Sequence, residues 1–192
     1  MKKFLFLLIS FISFTYAVTF PIDVDNCIIK KGRIELTGWY GQIRCDENDG
    51  TTRKHKAIDI PCVLNTPVRS VKAGKVIEFG FDRPKYCSKT QRWKCGYGNY
   101  VKIKDNDGLL HIYAHLSKYE VHLGQQIDEG QIFSYVGSTG LVNANCKYIF
   151  ANHLHYEVRN TNGRKIYYTK ILGDAVKPFI PDQYSKYAFT LR

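Results

Sequence analysis

Three observations in the 192-residue sequence predict a mostly β fold with little helix. Apolar and polar residues alternate in Val68-Arg69-Ser70-Val71, Lys75-Val76-Ile77-Glu78-Phe79, Tyr100-Val101-Lys102-Ile103-Lys104 and Leu154-His155-Tyr156-Glu157-Val158, the period of half-buried strands. Turn formers separate these runs, at Asn65-Thr66-Pro67, Ala73-Gly74, Asp105-Asn106-Asp107-Gly108, Asp128-Glu129-Gly130 and Asn160-Thr161-Asn162-Gly163. No stretch keeps a helical period for more than about two turns. Short strands joined by such turns imply antiparallel sheets or a sandwich.

From the N-terminus, Met1 to Ala17 reads as a secretory leader: Lys2 and Lys3 precede an unbroken apolar run from Phe4 to Ile9, and Thr15 and Ala17 close the segment. The run falls short of the roughly 20 residues needed to span a bilayer, and polar Thr19, Asp23 and Asp25 follow it, so no membrane span is expected. Cleavage leaves residues 18–192, enough for a single domain with its own core. Two stretches break the strand rhythm and read as surface loops that wall a site, Phe81 to Tyr97 and Leu141 to Asn152. The tail from Asp174 to Arg192 reads as irregular chain across a sheet edge.

Six cysteines, Cys27, Cys45, Cys62, Cys87, Cys95 and Cys146, in a chain that enters the oxidising secretory route read as three disulfides. No C-x-x-C pair supports a cysteine zinc site. The formal net charge is +11, two units of which, Lys2 and Lys3, leave with the leader. Such a surface attracts polyanions, anionic cell-wall polymers among them. No helix-turn-helix, finger or RNA-binding signature accompanies the charge, so specific nucleic-acid binding is not expected.

The chemistry concentrates in three short segments, His55-Lys56-Ala57-Ile58-Asp59, Tyr113-Ala114-His115-Leu116-Ser117 and His153-Leu154-His155. On a strand, residues i, i+2 and i+4 share one face, which would bring His55 beside Asp59 and His153 beside His155. Hydrolytic zinc sites take three protein ligands and keep one position open for water. His55, Asp59 and one histidine of the second pair meet that requirement, and spacing alone leaves open which one. The remaining histidine of the pair and His115 are then available for proton transfer and charge stabilisation. His111 and His122 read as structural; Asn99 and Tyr113 are candidate groove residues, Tyr113 equally a packing residue.

The H-x-x-x-D of His55 to Asp59 and the H-x-H of His153 to His155 resemble the motifs of the lysostaphin-type zinc metallopeptidases. Tyr97-Gly98-Asn99-Tyr100-Val101, Tyr113 to Ser117, Gly124, Gly130-Gln131-Ile132 and Gly137-Ser138-Thr139-Gly140 follow that family's order, so the resemblance covers roughly Gly38 to Pro181. It implies antiparallel sheets forming a long narrow groove over a zinc ion held by His55, Asp59 and His155, with His115 and His153 as the catalytic pair. It also implies a secreted endopeptidase that cuts cross-links or stem peptides of peptidoglycan. A monomer is expected.

Ala57 stands where most relatives have glycine and Asn152 where they have proline, and the segment after Gly140 is longer and carries Cys146. The alternative is a non-catalytic signalling or adhesion protein resembling leukocyte cell-derived chemotaxin, which keeps zinc ligands and has a cysteine at the place of Cys62; His115 and His153 would serve no purpose there. For the disulfides, Cys87 with Cys95 closes a short local loop, Cys62 ties the N-terminal segment down through Cys27, and Cys45 is left for Cys146.

Overall fold

The computed structural model describes residues 19–23, 26–27, 29–30, 33–34, 43–45, 52–55, 57–83, 85–87, 92–94, 96–140, 152–166 and 169–172. The expected leader, the 141–151 part of the second loop and the tail from 174 lie outside the described residues. Among those described, the chain opens with β1 (Ile29–Lys30), β2 (Arg33–Ile34), β3 (Ile43–Cys45), β4 (Thr52–Lys54), β5 (Ile58–Pro61) and β6 (Pro67–Arg69). It continues with β7 (Gly74–Asp82), β8 (Lys85–Cys87), β9 (Arg92–Lys94), β10 (Gly98–Asp105), β11 (Leu110–Ala114) and β12 (Leu116–Tyr119). β13 (Gln126–Ile127), β14 (Ile132–Val136), β15 (His153–Arg159), β16 (Lys165–Ile166) and the single turn α1 (Thr169–Leu172) complete it.

The strand alternations predicted from sequence are present in β7, β10 and β15 and in part in β6, which ends at Arg69, short of the expected Val71; the turn signals fall between strands or at their ends. A second boundary differs more. The stretch from Phe81 to Tyr97, expected to be loop, begins inside β7 and contains the β8–β9 hairpin, in which Lys85 faces Lys94 and Cys87 faces Arg92. Its aromatic and basic residues fit a two-stranded ribbon as well as a loop, and cross-strand pairing is not visible in one short run.

A seven-stranded antiparallel sheet runs β13-β7-β10-β11-β15-β16, and β5 shares with β16 the far edge of β15. A smaller sheet, β12-β14-β6, is fed directly from β11 through the single residue His115. Register fixes what each face carries. Tyr113 pairs with Val101 and Tyr156, and these look toward the small sheet, where Tyr113 meets Phe133 edge-on at 4.9 Å between ring centroids. Ile58, Ile60, Val101, Ile103, Leu116, Phe133, Val136, Leu154 and Tyr156 fill this core and are at most 2% exposed. Removing each such side chain from water contributes on the order of 1.5–3 kcal/mol. The other face carries Tyr100, Ala114 and His155 in one cross-strand row and Lys102, Ile112 and Glu157 in the next.

A disulfide joins Cys27 to Cys62, as expected. It pins the N-terminal segment beside the end of β5, where Val63 N–H also donates to Asn26 O at 2.8 Å and Arg69 N–H to Pro21 O at 2.9 Å. The pairings expected for Cys87 with Cys95 and for Cys45 with Cys146 involve side chains outside the described set. Among the described residues, no helix is long and apolar enough to cross a membrane.

Candidate metal centre

Asp59 lies on β5 directly opposite His155 on β15, so register brings their side chains to one face; Asp59 Oδ1 is 2.8 Å from His155 Nδ1. His55 arrives differently. It sits in the link between β4 and β5, not on a strand, and its Nε2 still comes within 3.4 Å of Asp59 Oδ2. The strand-face argument for His55 and Asp59 therefore reached the right pair by the wrong geometry. Ligand atoms of His55, Asp59 and His155 lie within 4.8 Å of one another. Two imidazole nitrogens and one carboxylate oxygen, converging from separate segments, are the donor kinds and number of a hydrolytic zinc site, so this group could hold a metal ion.

Burial alone would push the Asp59 carboxyl up, but the His55 and His155 imidazoles beside it outweigh burial and hold it well below the usual carboxylate range. A carboxylate that stays ionised in a buried place is what a cation needs.

The other two histidines face the same space. His115 and His153 rings lie 4.8 Å apart, and the His115 ring is 5.6 Å from that of His155. By plain alternation His115 would follow His111 and Tyr113 into the core. Instead its backbone is left-handed, φ 61°, at the step from the large sheet to the small one, which swings the ring to the metal side. Such a conformation costs roughly 1–2 kcal/mol in a residue with a Cβ and concentrates at functional sites.

His115 Nδ1 is 2.9 Å from the carbonyl of Thr139. A carbonyl only accepts, so Nδ1 carries the proton and Nε2 is left with its lone pair. Burial first, and then the neighbouring His155 and His153, depress the pKa of His115 to about 3, which keeps the ring neutral. Thr139 is itself pinned: its hydroxyl donates to Leu116 O at 2.8 Å and accepts from Asn99 N–H at 2.9 Å. Asn99 further ties Leu116 O and Ser117 O through Nδ2, at 3.1 and 3.2 Å. Gly98 and Gly140, both at positive φ, let the two backbones cross in contact; a Cβ on Gly98 would stand 2.3 Å from Thr139 C.

Beneath His155 on the same strand face lies Glu157, fully buried. Its Oε1 accepts from Arg159 Nε at 2.6 Å and from the Tyr97 hydroxyl at 3.2 Å, while Oε2 is paired with Lys165 and lies 3.7 Å from His155 Nε2. Burial would raise this carboxyl, but His155 and Lys165 outweigh it and bring it down to about 2. Tyr97 closes one side, its ring 5.8 Å from that of His155.

All five residues singled out from sequence thus come together. Glu157 and Thr139 were missed. An H-x-H-x-E alternation on one strand is the signal that could have found Glu157; Thr139 acts through its main chain and leaves none. Asn99 is half-buried and braces the Thr139 segment, and Tyr113 is core, its hydroxyl accepting from Val71 N–H at 2.9 Å. His111 is structural as expected, with Nδ1 2.7 Å from Tyr156 Oη and Nε2 3.0 Å from Asp105 Oδ2. His122 is exposed on the loop before β13.

The family model of Peptidase family M23 matches residues 53–167, from β4 to just past β16. Lysostaphin of Staphylococcus simulans is 34% identical over 104 residues, 54% of this chain and 17% of its own length. Its catalytic domain, described as an antimicrobial peptidase, superposes with a TM-score of 0.53 at 28% identity, over 72% of this chain and 92% of that domain. Glycyl-glycine endopeptidase ALE-1 of Staphylococcus capitis is 34% identical over 124 residues, 64% of this chain and 28% of its length. A zinc-containing peptidase from Vibrio cholerae matches with a TM-score of 0.54 at 25% identity, over 76% of this chain and 38% of that one. The chain therefore spans less than a third of the length of these two curated relatives.

Proposed function

Since the chain belongs to peptidase family M23, matched over residues 53–167, we propose that it is a secreted zinc endopeptidase that hydrolyses peptide bonds in peptidoglycan. The observation that carries this reading is the placement of His115 and His153 against a three-donor cluster of His55, Asp59 and His155. In it, His55, Asp59 and His155 are the metal ligands, and residues 1–17 are a leader that is removed.

When bound, zinc supplies Lewis-acid polarisation of the scissile carbonyl and acidifies a water. His115, with its proton held on Nδ1 by Thr139 O, offers Nε2 to take a proton from the attacking water. As the carbonyl oxygen gains charge, His153 stands beside it as hydrogen-bond donor. The proton gathered by His115 then passes to the leaving amine, which completes hydrolysis with both groups returned to their starting state. Tyr97 and the buried Ala114 limit water on one side of the site.

Support for peptide as substrate comes from the relatives, one named a glycyl-glycine endopeptidase and one an antimicrobial peptidase. The basic surface suits anionic polymers of a cell wall as a secondary partner. The paired Cys62 is shared with the chemotaxin-like alternative, but a binding-only protein needs neither the strained His115 nor the Thr139 tie that orients it.

The test is incubation of the zinc-loaded mature protein with peptidoglycans of differing cross-bridge, followed by mass analysis of soluble fragments. New amine and carboxylate ends that vanish on chelation are expected. Zinc-loaded protein that releases nothing from any wall, yet binds a receptor or surface equally well with His115→Ala, would favour the signalling alternative.

A further inference from the structure

Glu157 is fully buried, charged, and used by no step above. A carboxylate in such a place is costly unless it is paired on all sides, and the surroundings show how it is paired. Arg159 and Tyr97 take Oε1, Lys165 takes Oε2, and the remaining approach to Oε2 belongs to His155 Nε2 at 3.7 Å. That separation is a charge contact beyond hydrogen-bond reach. Arg159 Nη2 also donates to the Tyr97 hydroxyl at 2.9 Å, so the acid, the phenol and the guanidinium form a closed ring.

The His155 imidazole is thus held between two carboxylates, Asp59 at Nδ1 and Glu157 at Nε2. Nε2 is buried and makes no hydrogen bond among the described residues; Glu157 is the acceptor that faces it. An imidazole that binds a cation through one nitrogen must carry its proton on the other, and a carboxylate there fixes both tautomer and ring plane. Two cations on Glu157 serve this arrangement. They keep its charge in a buried position and hold its side chain from rotating toward Asp59.

We propose that Glu157 is the positioning residue of the metal centre: its carboxylate faces Nε2 of His155 and thereby commits Nδ1, the nitrogen beside Asp59, to the ion. This rests on the zinc reading given above. A neutral amide cannot replace it. In Glu157→Gln the single amide oxygen stays with its two donors, Arg159 and Tyr97, so the NH2 group takes the Oε2 position, faces Lys165 and His155 Nε2, and favours the opposite tautomer.

Zinc affinity of the full mature chain, measured by competition with a chromophoric chelator, and 15N shifts of the His155 ring in the zinc-loaded protein test this directly. Thermal unfolding of the metal-free protein shows whether each variant is folded. Expected for Glu157→Gln is a folded chain with zinc affinity lowered by about 10- to 100-fold and the Nε2–H signature of His155 lost. Should Glu157→Gln fail to fold, Glu157→Asp, which keeps the charge but withdraws it from Nε2, decides by the same two readouts. A folded variant with affinity within about twofold of the parent and unchanged His155 shifts overturns the proposal while leaving the zinc reading intact. A parent chain that binds no zinc overturns both.

Discussion

Replacing Gly98 by alanine would separate the main-chain device that orients His115 from the ligands that hold the metal. Gly98 sits at φ +61°, and an added Cβ would lie 2.3 Å from Thr139 C and 2.4 Å from Thr139 O. Ordinary contact begins near 3.4 Å, so one backbone must retreat by about 1 Å, a displacement of the overpacking kind that costs on the order of 1–3 kcal/mol. Left-handed strain in alanine adds roughly 1–2 kcal/mol. The sum, about 2–5 kcal/mol, is a sizeable part of the roughly 5–15 kcal/mol that holds a domain folded and corresponds to a fall in melting temperature of about 4–20 °C.

The retreat moves the Thr139 carbonyl away from His115 Nδ1, and a catalytic group misplaced by about 1 Å loses on the order of 100-fold in rate. Zinc content should stay at the parental level, because β5 and β15 carry Asp59 and His155. Gly163→Ala is the matched control: it also has positive φ, +73°, but its Cβ would meet nothing within 4 Å. Thermal unfolding, elemental analysis and hydrolysis of a glycine-rich peptide are the assays. If Gly98→Ala costs no more stability than Gly163→Ala, or keeps full activity, the crossing backbones do not orient His115.

Three further outcomes are expected. His115→Ala and His153→Ala should each keep zinc and lose about 10²- to 10⁴-fold in activity, with the double variant scarcely worse, whereas His155→Ala should lose the metal; elemental analysis beside kinetics checks this, and zinc loss in His115→Ala would reverse the assignment. Burial holds the folded His111 pKa below its ordinary 6.5, so below that pH the unfolded chain binds a proton that the folded one refuses; stability is full above pH 6.5 and falls as pH drops toward the depressed value. Denaturant titrations at pH 7 and pH 5 should show that fall, and His111→Gln should flatten it. Opening Cys27–Cys62 by a double serine substitution frees a 35-residue separation and should cost about 4 kcal/mol in the chain-entropy model, measured by denaturant midpoint; an unchanged midpoint would show that the N-terminal strap contributes nothing.

What the sequence determined by itself is everything carried by local order. Period-two alternation set the strands, because a half-buried pleat demands it, and the H-x-x-x-D and H-x-H segments named four candidate site residues, with His115 added from the Tyr113 to Ser117 segment, because metal chemistry restricts donors to few types at short spacings. Cys62 was paired with Cys27 as a tie for the N-terminal segment, and that disulfide is present. Other features depended on contacts between segments far apart in the chain. His55 reaches Asp59 from a link between strands, since the chain turns there before β5 begins. His115 faces the metal side only because one left-handed residue joins two sheets, where alternation alone would have buried it with Tyr113. Thr139, 24 residues on, orients His115 through a main-chain carbonyl that any residue type carries. Arg159, Lys165 and Tyr97 became partners of Glu157 only when β15, β16 and the entry to β10 were brought together. Tertiary structure decided these because orientation and charge compensation are properties of convergence in space, which a one-dimensional pattern does not encode.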